Sequence, residues 1–240
     1  MSLGGGRDRE EAVAALLRAL AAEPATVAGL DFAFSWPRWY LDARGLATAE
    51  EAWAHAAALA GRPARRLPPP FWGAGVRPLA EAGLEGRERL RLTEATPDAL
   101  AAGARSTFHA GGAGTVGLQS IRGMPFLAAL RRAGAAIWPF DRPGRAAPLV
   151  VEVFPRMIAR RLAPSRGARG AAFRAGVVAA LPPTALAGVP AARDQVLANQ
   201  DAFDAAVSAI ALSRDPAAGL TAGDAEAAAL EGWIWGAGWE

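Results

Sequence analysis

The chain has no cysteine and no lysine, one tyrosine, and two histidines among its 240 residues. Without cysteine there are no disulfides and no thiolate metal ligands, which suits a reducing compartment without establishing one. With only His55 and His109 as imidazole bases, Ser35 has no recognisable triad around it, and a serine hydrolase is set aside. His109, next to Phe108, reads as a half-buried structural histidine. The missing lysine excludes the GxxxxGK[ST] phosphate loop.

Long hydrophobic runs are also lacking. The longest charge-free stretch, Ala175 to Ala192, is interrupted by Pro182, Pro183 and Pro190, so it is a poor candidate for a membrane-spanning helix. The first residues, MSLGGGRDREE, have no apolar run behind their charges and so do not form a secretory signal. A soluble, cytoplasmic protein without a membrane partner is expected. Strong charge is missing too. The 26 basic residues are all arginine against 23 acids, a formal charge of +3, and the isoelectric point of about 10.7 reflects arginine remaining charged far into alkali. Such a balance creates no strong field at neutral pH and does not by itself mark a nucleic-acid binder.

What is present is a chain that is 52% hydrophobic and 20% charged, too apolar for general disorder and long enough for one domain spanning 1–240. Asp8 to Ala22 places Val13, Leu16, Leu17 and Leu20 at helical spacing, with acids in the first turn where the helix dipole favours them. Val27 to Phe34 reads as a buried strand, Ala49 to Ala60 as a helix, and Leu67 to Pro78 as a loop. Ala110 to Pro125, AGGAGTVGLQSIRGMP, reads as a flexible glycine-rich loop carrying Gln119, Ser120 and Arg122. An ordinary glycine loop is about as good a reading, and the stretch matches no dinucleotide fingerprint. Met124 to Ala133 is predicted helical, Ala135 to Phe140 and Leu149 to Phe154 as short strands, and Arg169 to Leu181 and Arg193 to Leu212 as helices. EGWIWGAGW, near the end, reads as an edge strand. Strands alternating with helices predict an α/β layer with a partly parallel sheet.

Carboxylates stand where such sheets bind ligands, at the carboxyl ends of strands. Asp31 closes VAGLD, Glu152 lies in LVVEVFPR, and Asp201 and Asp204 are three apart in NQDAFDAAVSAI, neighbours on one helix face. Oxygen ligands from these sources would suit Mg²⁺ or Mn²⁺ in phosphoryl transfer. The alternatives stay open. Asp31 caps the following turn or serves a site. Glu152 pairs with Arg156 or another arginine, or serves a site. Asp201 is a surface acid or a ligand, and Asp204, in register with the apolar face, is the better candidate of the two.

VAGLDFAFSWP, then ARSTFHAGGAGTVGLQSIRGMPFLAALRRAGAAIWPFD, VVEVFPR, DAFDAAVSAIAL and EGWIW, in this order, resemble the bacterial domain-of-unknown-function family 429, described as predicted nucleases of the ribonuclease H-like fold. The resemblance runs from Arg7 to Trp235, and its block around SIRGMP and WPFD is specific. It implies an α/β fold in which helices flank a mixed sheet, and metal-dependent phosphodiester hydrolysis. Asp31, Glu152 and Asp204 are the implied catalytic residues, and these three with Asp201 the implied Mg²⁺ or Mn²⁺ ligands. Arg105, Ser106, Gln119, Ser120 and Arg122 match the family's polar loop, and Phe154, Pro155 and Arg156 match its Tyr-Pro-Arg triplet, so these polar residues and Arg156 are expected to bind substrate.

Two departures stand out. The chain enters its first helix almost at once, so the hairpin that opens a ribonuclease H-like sheet, with its leading aspartate, is expected to be missing. That loss would leave a sheet edge open to pairing in a homo-oligomer. The family's lysine near the triplet is also absent, with Arg160, Arg161 and Arg166 as the nearby bases. Two functions compete: a metal-dependent nuclease, and a non-catalytic module binding a nucleotide or a protein. A sugar-kinase-like phosphotransferase needs a phosphate-binding hairpin near the start, which this chain lacks.

Overall fold

The computed structural model of the chain describes residues 8–23, 25–112, 115–144, 147–163, 170–182, 185 and 190–238. Its architecture is mixed α/β, with ten α-helices and two small parallel sheets among these residues. None of the described helices is long and apolar enough to cross a membrane.

The first helix, α1 (Arg9–Ala22), starts where Asp8 accepts a hydrogen bond from the Glu11 amide. β1 (Val27–Leu30) follows and is shorter than the predicted strand. From Asp31 onward the chain leaves the sheet, yet Ala33, Phe34, Ser35 and Trp36 are buried, so a buried non-strand segment replaces the second half of the expected strand. Its backbone is satisfied by side chains: Ser120 Oγ accepts from the Ala33 amide at 2.9 Å and Trp53 Nε1 donates to the Phe34 carbonyl at 3.0 Å.

After the short α2 (Arg38–Asp42) comes α3 (Ala49–Ala60), as predicted. It opens with a capping box formed by Thr48 and Glu51 and buries Ala52, Trp53, Ala56 and Leu59 on one face, the spacing of an amphipathic helix. The proline-rich loop contains the two-residue β2 (Trp72–Gly73). α4 (Pro97–Ala102) leads to β3 (His109–Gly111), which pairs with β2 in parallel. His109 is half-buried and stacks on Trp72 with ring centroids 4.3 Å apart.

α5 (Gly117–Arg132) corrects the loop reading. Gln119, Ser120 and Arg122 lie on a helix that starts seven residues before Met124 and carries Pro125 inside it. Gly123 explains part of the glycine content, because a Cβ there would stand 2.8 Å from the Phe32 ring. β4 (Ala136–Ile137) and β5 (Leu149–Glu152) complete the main sheet, in the order β1-β5-β4, all parallel. The register pairs Leu30 with Glu152, so both strands finish at one level. All four β5 residues are buried, the unalternating apolar pattern of a covered parallel strand.

α6 (Pro155–Leu162) begins at the triplet's proline, and α7 (Gly170–Ala180) follows. The single helix predicted over Arg193 to Leu212 is two, α8 (Pro190–Ala198) and α9 (Gln200–Arg214). Asn199 separates them: its backbone is extended and its side chain caps α9 by accepting from the Ala202 amide, competing with continued helix as short polar side chains do. After α10 (Ala225–Glu231), the described part of EGWIWGAGW, up to Gly238, is no strand. It touches the sheet through one bridge, Ile234 to Glu152.

Candidate functional site

β1 and β5 finish together, Leu30 beside Glu152, so Asp31 follows just beyond the sheet at the same end, and α9 packs against β1, bringing Asp204 and Asp201 toward Asp31. Two clefts meet at this end. One, of about 350 Å³, is lined by Asp31, Asp201, Asp204, Ser208 and the apolar Val27, Val153 and Leu212. The other, of about 80 Å³, includes Asp31, Phe32, Glu94, Arg105, Gln119 and Glu152. Asp31 belongs to both. The expected site residues are therefore split: the helix acids face the larger cleft, and Arg105, Gln119 and Glu152 face the smaller.

Asp31 is reached by solvent but is set among apolar walls and other acids. Desolvation, then the charges of Asp204, Glu152 and Asp201, raise its pKa from the ordinary 3.8 to about 7. The charges that raise it are all those of other acids. Burial also pushes the Asp204 carboxyl up, opposed by a hydrogen bond from Gln200 Nε2 at 2.9 Å. Asp201 lies exposed in the first turn of α9.

Glu152 is quite different. Arg91, 0% exposed, donates Nη1 to Glu152 Oε2 at 2.9 Å and Nη2 to Glu152 Oε1. The Phe34 amide adds a bond to Oε2 at 2.9 Å. Glu152 thus pairs with an arginine, and the partner is Arg91 rather than Arg156. The same guanidinium holds Glu94 through Nε at 2.9 Å and Nη2 at 2.7 Å, and gives Nη1 to the Glu231 carbonyl at 2.9 Å. The Glu231 carboxylate in turn accepts from the amides of Arg38 and Leu92. Burial opposes the Arg91 charge, but Glu152 and Glu94 outweigh it and hold the guanidinium protonated. Two carboxylates share one cation, and burial pushes the Glu94 carboxyl above its ordinary range. Arg91, Glu94 and Glu231 were not legible as site residues. The only signal for Arg91 and Glu94 is RLRLTE, in which the two charged residues are three apart within a polar stretch, and Glu231 is the first residue of the EGWIW motif.

The other expected substrate contacts are placed as follows. Arg105 and Gln119 are exposed on the wall of the smaller cleft. Ser106 is buried, donating to the Arg89 carbonyl at 2.6 Å and accepting from the Phe108 amide. Ser120 donates to the Val116 carbonyl and supports Ala33, so both serines position backbone. Arg122 is half-buried on α5 and lines neither cleft. Arg156 is exposed, its Nη1 near Gly103. Arg161 is committed to Asp98 and the Gly236 carbonyl, and Arg166 lies outside the described residues.

Among the described residues no three Asp, Glu or His side chains stand close enough together to enclose a cation. A closed protein cage of the Ca²⁺ or Zn²⁺ type is therefore not formed. Mg²⁺ is commonly held by one or two carboxylates with waters and substrate phosphates, and Asp31 and Asp204, which line one cleft, are the carboxylates that could serve that mode. Comparison with known protein families, with curated proteins and with solved structures returned no match to this chain.

Proposed function

We propose that the chain is a divalent-cation-dependent phosphodiesterase of ribonuclease H-like fold acting on nucleic acid, with Asp31 and Asp204 as cation ligands and Asp201 beside them. One observation carries this reading: Asp31, just past the carboxyl end of a parallel strand, shares a cleft with Asp201 and Asp204, and the charges that raise its pKa are those of other acids. A cation from outside would offset that charge and, with a bound phosphate, supply the Lewis acid for attack by water. Arg105, on the adjoining wall, is suited to hold a phosphate oxygen. The order of the motifs resembling family 429 supports the same assignment. β1 pairs with β5 alone among the described strands, and an open edge of this kind suits a homo-oligomer. A cytoplasmic location accords with this function.

The test is a calorimetric titration with Mn²⁺ of the wild-type chain and of Asp31→Asn and Asp204→Asn, followed by cleavage of a labelled oligonucleotide in Mn²⁺. Saturable binding that disappears in Asp31→Asn and weakens in Asp204→Asn is expected. A folded wild-type chain that gives no heat of binding overturns the proposal. The second reading, a non-catalytic module for a nucleotide or protein, is favoured by the engagement of Glu152 with Arg91. It requires ligand binding that persists in EDTA without cleavage.

A further inference from the structure

Among the residues lining the larger cleft is one whose buried hydroxyl neither the sheet nor the helix satisfies. Ser208 is 5% exposed, lines the cleft, and its Oγ has no hydrogen-bond partner among the described residues. A serine inside a helix ordinarily returns its hydroxyl to a carbonyl three or four residues back. Two other helical serines here do so, Ser120 to Val116 at 2.8 Å and Ser213 to Ile210 at 2.9 Å. Ser208 is the exception. Ser35 and Thr107 also carry unpartnered hydroxyls, but they line neither cleft.

A buried hydroxyl without a partner loses its hydration and regains nothing until a ligand or water answers it. Ser208 is four residues beyond Asp204 on α9, hence on the same face about one helical turn away. The walls beside it, Val27, Val153 and Leu212, are apolar. A phosphate is a poor occupant of the space beside Ser208, since apolar walls do not solvate its charge and no basic residue is among the described residues lining the cleft. A neutral group with one apolar face and a hydroxyl fits better, and the part of a nucleic acid that meets this description next to a cation-held phosphate is the sugar. Serine both donates and accepts, as does the ribose 2′-hydroxyl, the group by which proteins tell RNA from DNA.

We propose that Ser208 is a specificity-determining residue that bonds the sugar hydroxyl of a ribonucleotide whose phosphate is held at Asp31 and Asp204, so that the cleft prefers RNA to DNA. This rests on the cation reading given above. The test measures fluorescence anisotropy of a labelled single-stranded ribo-oligonucleotide and its deoxy counterpart, in Mn²⁺, with the wild-type chain and Ser208→Ala. The wild type is expected to favour the ribo strand by about tenfold, the scale of one hydrogen bond. Ser208→Ala is expected to remove that preference by weakening ribo binding alone. Circular dichroism establishes that the variant is folded, and Ser208→Thr, which retains a hydroxyl, serves as the second variant and should retain part of the preference. Equal affinity of the wild type for the two strands, or equal loss on both in Ser208→Ala, overturns the Ser208 inference while leaving Mn²⁺ binding intact. A wild-type chain that binds neither Mn²⁺ nor either strand overturns the cation reading and this inference with it.

Discussion

Two groups of acids lie at the same end of the sheet and solve the same electrostatic problem in opposite ways. Glu94 and Glu152 are buried around Arg91, whose guanidinium bonds both carboxylates and a backbone carbonyl. Asp31, Asp201 and Asp204 line an open cleft, and what acts on Asp31 is desolvation and more negative charge. The first group is complete within the protein. It ties β5, the 91–94 turn, the buried segment after β1 and the end of α10 into one piece. In the second, Asp204 is answered in part by the Gln200 hydrogen bond and the Arg174 charge, while Asp31 is raised by desolvation and its acidic neighbours. A charged residue in an apolar surrounding is therefore ambiguous until its partner is known: Glu152 ends β5 and Asp31 follows β1 at the same end, yet one is bonded to a buried arginine and the other is reached by solvent.

The sharpest way to break this contrast is to remove the cation from the closed group. Arg91→Met leaves Glu94 and Glu152 buried without their counter-ion and is expected to cost about 3–5 kcal/mol of stability, read from urea unfolding at neutral pH. A loss below about 1 kcal/mol would show that the two carboxylates are compensated by other means. Any loss of Mn²⁺ binding in this variant should follow unfolding, since Arg91 does not line the larger cleft.

Neutralising the open group should act in the other direction. The Asp31 carboxyl titrates near 7 when folded, above its ordinary 3.8, so the folded state binds this proton more tightly than the unfolded chain. Its contribution to stability is present below about pH 4 and is lost as pH rises through 7. Asp31→Asn abolishes that loss. Its melting temperature relative to wild type should climb between pH 4 and pH 7 and stay level above, while its Mn²⁺ binding disappears. A difference that does not depend on pH would mean that Asp31 titrates normally.

The smallest effect separates the groups by screening. Raising sodium chloride from 0.05 to 0.5 M, which shortens the Debye length to a few ångströms, should lower the pKa of solvent-reached Asp31 by a few tenths. Glu94, fully buried against Arg91, should barely respond. Carboxyl NMR titration measures both, and equal responses would remove the distinction between a closed and an open group.

Much of the framework was legible because it depends on local pattern. The spacing of Val13, Leu16, Leu17 and Leu20 marks α1, the Thr48 and Glu51 capping box opens α3, and the apolar run LVVE forms a covered strand. Asp31, Asp201 and Asp204 were legible as acids at a strand end and on one helix face, a matter of spacing along the chain. The glycine-rich segment was misread because α5 tolerates Gly117, Gly123 and Pro125 for tertiary reasons: Phe32 fills the space beside Gly123. The predicted helix over Arg193 to Leu212 broke at Asn199 because a side-chain cap competed locally with helix continuation.

The sequence by itself thus determined the alternation of helices and strands and the placing of acids at the carboxyl end of the sheet, while the mixed sheet it led one to expect is all parallel among the described strands. The alternation and the placing follow from periodicity and from the short-range chemistry of caps and turns. Only the tertiary structure decided which acids are answered within the protein. Arg91 reaches Glu152 across 61 residues, and the unanswered hydroxyl of Ser208 becomes visible only when α9 is laid against β1. Whether a charge or a hydroxyl is satisfied depends on a partner a few ångströms away, and distance along the chain carries almost no information about that.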